Sequence, residues 1–207
     1  MRAAIIATAQ RFFMQQGIRA TTMDQIAEAL GISKKTLYEH FISKEALVAA
    51  CAEALLDQME AKMQELRQKH HQDILAAMTA IANYAYGTLT SLNPVLFSEL
   101  RRLLPHLRLL IIPRIQQIIL RHLSLSLEQG IQEGVFRPDL PKDFIPPWVS
   151  YVMLHVVLNP TFAEQVQRSV AEIYAETLLL LLYSFCTEKG RQALEAYKPL
   201  IRQTYVR

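Results

Sequence analysis

From Gly31 to Leu47 the chain reads GISKKTLYEHFISKEAL, a short stretch crowded with groups that hydrogen-bond to nucleic acid. The ammonium group of Lys35 can donate to guanine acceptors, the methyl of Thr36 can pack against thymine and Glu39 can accept from cytosine, while Lys34 and Lys44 suit phosphate oxygens. Tyr38 and His40 suit phosphate oxygens, and so does Thr22 at an earlier helix start, where free backbone amides point outward. Leu37 and Phe41 stand four residues apart, so they form the buried side of a helix that Ser33 caps. The polar groups are left on the other sides.

No comparable pattern for catalysis appears. His70, His71 and Asp73 carry donor atoms that suit transition metals, but neighbouring histidines do not share a helix face. His106, His122 and His155 are isolated, and the chain has no Ser-His-Asp ordering, glycine-rich phosphate loop or helical HExxH. The expectation is a protein that is not an enzyme and holds no metal and no cofactor. Cys51 and Cys186 lie in apolar helical runs without CxxC spacing, which fits buried thiols in a reducing cytoplasm.

The elements that must position these groups are helices, because apolar residues recur at helical spacing along nearly the whole chain. A first helix is predicted over Arg2 to Gln16, with Ile5, Ile6, Ala9, Phe12 and Phe13 on one face and Gly17 as a left-handed cap. A second follows Thr21 and Thr22 and buries Met23, Ile26, Ala27 and Leu30 before Gly31 closes it. The third runs from Ser33 through Phe41. Ser43 caps a fourth that continues without Gly or Pro to about Gln72, a lever on the order of 45 Å long.

All nine prolines lie after residue 93. Composition therefore shifts from a module of short capped helices to a larger helical body. Helices are predicted there near Asp73–Ser91, Pro94–Leu104, Leu107–Glu133, Lys142–Leu158, Thr161–Lys189 and Arg191–Tyr205. With 207 residues, 51% of them hydrophobic, the chain can bury a full core. A net charge of only +3 means that any contact with nucleic acid comes from local placement, not from overall charge. The longest apolar run, Phe144 to Leu158, contains Pro146 and Pro147 and is shorter than the roughly 20 residues a membrane span needs. The N-terminus lacks the unbroken apolar centre of a signal peptide.

Two short helices joined through a glycine, the second displaying polar groups, are what a helix-turn-helix requires. The ordered run ATTMDQIAEALGISKKTLYEHFISKEALVAA also resembles the N-terminal pattern of the TetR family of bacterial transcriptional regulators, through Thr22, Ile26, Ala27, Gly31, Ser33, Leu37, Tyr38, His40, Phe41, Lys44 and Leu47. The likeness covers about a quarter of the chain. Lys35 departs from it, since many members carry a small residue there. A weaker likeness extends through NPVLFSEL, GIQEGVFRPDL and EIYAETLLLLLYSF.

The resemblance implies an all-α chain of about nine to ten helices. Residues 1–46 would form a three-helix, helix-turn-helix DNA-binding domain, and residues 47–207 a larger helical domain for ligand binding and dimerisation. It implies a cytoplasmic, sequence-specific regulator that binds two-fold related half-sites of double-stranded DNA as a homodimer, without a membrane, and that a small apolar effector releases from its operator as a repressor. An activator or a ligand-independent regulator of the same fold, and an all-α enzyme, are the alternatives. Thr36 and Lys35 are then the foremost candidates for base contact, and Thr22, Tyr38, His40 and Lys44 for phosphate contact. WVSYVMLHVVL and IYAETLLLLLYSF are apolar on nearly every side, so each needs cover on two faces, as at a four-helix dimer seam. Met78, Tyr84, Phe97, His106, Trp148, Tyr151, His155 and Phe162 are the candidate lining of an effector cavity.

Overall fold

The protein's computed structural model describes residues 1–91, 99, 104–157 and 160–205. Its helices are α1 (Arg2–Ala20), α2 (Met23–Leu30), α3 (Lys34–His40), α4 (Lys44–Lys69), α5 (Ile74–Ser91), α6 (Pro105–Gln132), α7 (Ile145–Val152), α8 (Pro160–Val166), α9 (Val170–Phe185) and α10 (Glu188–Tyr205). A π-helical turn, Met153–Val157, continues α7. The predicted helix over Pro94–Leu104 falls almost wholly outside the described residues. No described helix is long and apolar enough to cross a membrane.

The chain forms two compact units, one of Met1–Ala61 with Thr88–Ile115 and the other of Lys62–Gly87 with Gln116–Arg207. This division does not follow a cut after residue 46. The core of the first unit shows why, because Leu47, Val48 and Cys51 from α4 and Leu104 and Leu107 from α6 and its approach pack with Ile5, Ile26 and Leu37. A carboxylate pair adds to it, with Arg114 Nη2 2.8 Å from Glu60 and 3.2 Å from Asp57.

In this unit, α1 buries Ile5, Ala9 and Phe13 at four-residue intervals. Gly17 interrupts the helix at φ 85°, ψ 171°. The φ is positive as expected, but the ψ is extended, so Gly17 breaks the chain direction and does not form a left-handed cap. Thr22 and Gln25 make a reciprocal capping box at the start of α2, which stabilises amides the helix leaves unpaired. Gly31 ends α2 in the left-handed region, and Ile32 N–H closes the turn onto the Ala27 carbonyl at 3.0 Å.

The second unit is built on α9, which buries Ile173, Tyr174, Ala175, Leu178, Leu179, Leu181, Leu182 and Phe185. Leu75 and Ala82 from α5, Leu127 from α6, and Leu194 and Ile201 from α10 complete its core. The single helix expected from Thr161 to Lys189 is two helices here. Gln167, at φ 53°, ends the first, and Ser169 with Glu172 forms a capping box that starts α9. Hydrogen bonds from Ser169 hold the Glu172 carboxyl below its usual range. The S-x-x-E signature was present in the sequence. The predicted Lys142–Leu158 helix likewise shortens to α7 and the π turn, since Pro146 and Pro147 are accommodated only in its first turn.

Leu182 is 1% exposed within this core. Leu182→Ala is expected to cost about 2–5 kcal/mol of stability, through lost burial and the cavity left behind, and urea denaturation of the full chain measures it.

Candidate nucleic-acid interface

The seven residues of α3 are held by one fully buried side chain, Leu37, and by Phe41 just beyond the helix. At about 100° per residue, Lys35 and Glu39 lie opposite Leu37, with Thr36 and Tyr38 on the two flanks. Lys34, Lys35, Tyr38, Glu39 and His40 are exposed and Thr36 is half-buried. Tyr38, at 40% exposure, presents a ring and hydroxyl outward. The face expected from the sequence is therefore open.

Several of these side chains have protein partners. Lys34 Nζ lies 2.8 Å from Asp24 on α2, and that hydrogen bond raises its pKa. The Thr36 hydroxyl shares a 2.8 Å hydrogen bond with Ser33, while its amide donates to the same Ser33 oxygen at 3.0 Å. Thr22 accepts from the Gln25 amide at 3.1 Å and leaves its own hydroxyl proton free to point outward. Lys44, half-buried in the first turn of α4, donates to the Arg19 carbonyl at 3.5 Å. Burial lowers its pKa, and the nearby Glu99 carboxylate opposes that shift.

Two residues of this site had no signal in the sequence pattern. Arg2 places its guanidinium 4.8 Å from the Phe41 ring centroid, a cation–π contact that brings an exposed positive charge to the end of α3. Glu99 accepts from the Ile18 amide at 2.6 Å and the Arg19 amide at 3.2 Å, which satisfies the donors that the break at Gly17 exposes. The acidic residue stands about eighty positions from its partners, and no local motif announces such a contact. Cys51 is buried in the same unit, its thiol directed at the Ile6 carbonyl and its pKa pushed up to about 12 by burial.

The residues expected to line an effector cavity do not come together. Phe97 lies outside the described residues. His106 is exposed and 3.9 Å from Glu45, in the first unit. Trp148, Tyr151 and His155 face outward, with Trp148 at 42% and Tyr151 at 59% exposure. They form a stripe with Phe144, in which Phe144 stacks on Trp148 and Tyr151 lies 4.4 Å from His155 between ring centroids. The cause is the helical register of α7, which turns Ile145, Val149 and Ser150 inward instead. Met78 and Phe162 are half-buried against the core of the second unit, and Tyr84 is half-buried on α5. Among the described residues, no group of three or more His, Cys, Asp or Glu is placed to hold a metal ion.

Residues 5–51 match the family described as "Bacterial regulatory proteins, tetR family". The chain is 29% identical over 191 residues to the HTH-type transcriptional repressor KstR2 of Mycobacterium tuberculosis, covering 83% of this chain and 90% of that one. A transcriptional regulator from Cytophaga hutchinsonii has the same fold at TM-score 0.69 and 20% identity, covering 88% of this chain and 97% of that one. The reduced form of Escherichia coli NemR superposes at TM-score 0.66 and 19% identity, covering 90% and 96%.

The two glycines that shape this unit differ in what a methyl group would meet. A Cβ at Gly31 finds nothing within 4 Å, so Gly31→Ala is expected to cost only the left-handed backbone, about 1–2 kcal/mol. At Gly17 the same atom would stand 2.8 Å from a Glu99 carboxylate oxygen. Gly17→Ala should therefore lower the thermal midpoint further than Gly31→Ala, as differential scanning calorimetry would record.

Proposed function

We propose that the chain, a DNA-binding transcriptional regulator similar to the TetR family, is a repressor, released from its operator by a small molecule with a largely apolar body. The observation that carries this reading is the seating of α3. Leu37 is sealed at 0% exposure while the opposite side of the same short helix holds Lys35, Glu39, Thr36 and Tyr38 open to a major groove. Lys35, Thr36 and Glu39 read base edges. Lys34, Tyr38, His40, Lys44 and the Thr22 cap meet phosphates and fix the register of the helix on the duplex.

One such head makes few contacts, and pairing by two-fold symmetry doubles them. The aromatic stripe of Phe144, Trp148, Tyr151 and His155 on α7 and its π turn, with Leu180 of α9 at 70% exposure, supports a homodimer seam, because apolar surface of this kind gains from cover. The name of the M. tuberculosis relative supports repression over activation. Repression also asks less of the protein, since occupying a promoter suffices. Release by an effector requires only a coupling free energy of about 1–3 kcal/mol between its site and the DNA.

Mobility shift with the DNA flanking the protein's own gene tests the reading. Binding is expected to fall steeply with salt; Lys44→Ala should weaken it nearly uniformly across sequences, and Thr36→Ala selectively at one base position. The absence of any shift would overturn the repressor reading. Trp148→Glu is expected to convert a dimer to a monomer in sedimentation equilibrium, and an unchanged dimer would remove α7 from the seam.

A further inference from the structure

Arg67 stands near the end of α4 with its guanidinium turned onto α6. Nη2 donates to the His122 carbonyl at 2.7 Å and to the Ser126 hydroxyl at 2.9 Å, and Ser126 itself donates to the His122 carbonyl at 2.8 Å. These bonds fix the guanidinium plane and use both hydrogens of one nitrogen. Nε and Nη1 are sealed from solvent and meet no acceptor among the described residues. Among the described residues no carboxylate partners the cation, and burial holds its pKa below the usual arginine range.

This arrangement is costly for folding. Arg67 as a residue is half-buried, but its sealed donors leave water without gaining an acceptor, which is expensive, and an apolar side chain of similar length would fill the space without that penalty. The remaining donors of Arg67, one on Nε and two on Nη1, form a rigid planar set that fits an oxyanion. Two further hydroxyls of the same unit are in a similar condition. Thr79 on α5 is 4% exposed and Ser150 on α7 is 2% exposed, and neither oxygen has a hydrogen-bond partner among the described residues. Native interiors hold few such atoms, and each calls for a reason. Thr79 shares a helical stripe with Leu75, Ala82 and Tyr86, which pack in the apolar core of the unit.

We propose that Arg67 is the anion-recognition residue of the effector site, and that the effector is an amphipathic acid whose carboxylate accepts from Nε and Nη1 of Arg67. The inference rests on the ligand-released repressor reading above and narrows its ligand class. The apolar body supplies burial, and the carboxylate supplies the charge that the preorganised guanidinium lacks. Arg67 also shares the continuous helix α4 with Lys44, so a ligand drawn to it acts on the helix whose first turn carries a phosphate-contact residue.

The test compares sodium decanoate with 1-decanol, both below their aggregation limits, on the full chain and on Arg67→Met and Arg67→Lys. Decanoate is expected to raise the wild-type thermal midpoint and decanol to leave it nearly unchanged. Arg67→Met should abolish the rise and weaken decanoate binding at least about tenfold in titration calorimetry, while Arg67→Lys keeps the charge and a smaller rise. Without ligand, Arg67→Met should melt at or above the wild-type temperature, because it removes the sealed, unsatisfied donors on Nε and Nη1. Equal shifts by acid and alcohol, no shift by decanoate, or a decanoate shift that survives in Arg67→Met would each overturn the proposal. Decanoate binding that depends on Arg67 but leaves the wild-type protein on its operator would uphold the anion site and overturn the release mechanism.

Discussion

A helix of seven residues does not persist in water, because forming its first turn costs more than its few hydrogen bonds return. The outward set of polar groups on α3 therefore depends on Leu37, which is fully buried, and on Phe41, which closes the same seat at 3% exposure. The contacts beneath them come from α1, α2 and the start of α4, through Ile5, Ile26 and Leu47. Of those helices α1 is broken at Gly17 and α2 is only eight residues long, so the unit stands by mutual support. The side-chain caps at Thr22, Ser33 and Ser43 set where each segment starts and thus the rotation of Lys35 and Glu39 about the α3 axis.

The same unit depends on a distant carboxylate. Glu99 closes the amides of Ile18 and Arg19 at the Gly17 break and lies close enough to Lys44 to favour its charged form. Thr21 donates to the Gly17 carbonyl at 2.8 Å from the other side. The turn between α1 and α2 is thereby held by a side chain that arrives from much later in the chain. The charge of Lys44, a proposed phosphate contact, is tied to the Glu99 carboxylate.

The second unit separates two uses of apolar surface. Its core on α9 is sealed, with Tyr174 buried beside Tyr86 and donating to the Ala82 carbonyl, and burial pushes the Tyr174 hydroxyl pKa up. The stripe on α7 is open, although its residues are as aromatic as those inside. Arg67, Thr79 and Ser150 reverse the rule, being polar atoms placed where hydrocarbon would be cheaper. An exposed aromatic surface and the sealed, unsatisfied donors of Arg67 both mark places where the single chain is not at its own energetic optimum.

The amino-acid order alone determined the helical class, the capped short helices of the N-terminal unit, the inward Leu37 and Phe41 and the outward polar set of α3, because these follow from local periodicity and from side chains bonding three or four residues away. It also held the S-x-x-E that starts α9, a signal that the long apolar run around it obscured. Tertiary structure decided the rest. Periodicity marks a helix as apolar all round without saying which side meets the core, so Trp148, Tyr151 and His155 read as cavity lining and emerged at the surface. The partners of Glu99 and Arg67 lie tens of residues away, and a hydrogen bond across such a separation is set by how helices pack, which no local pattern records.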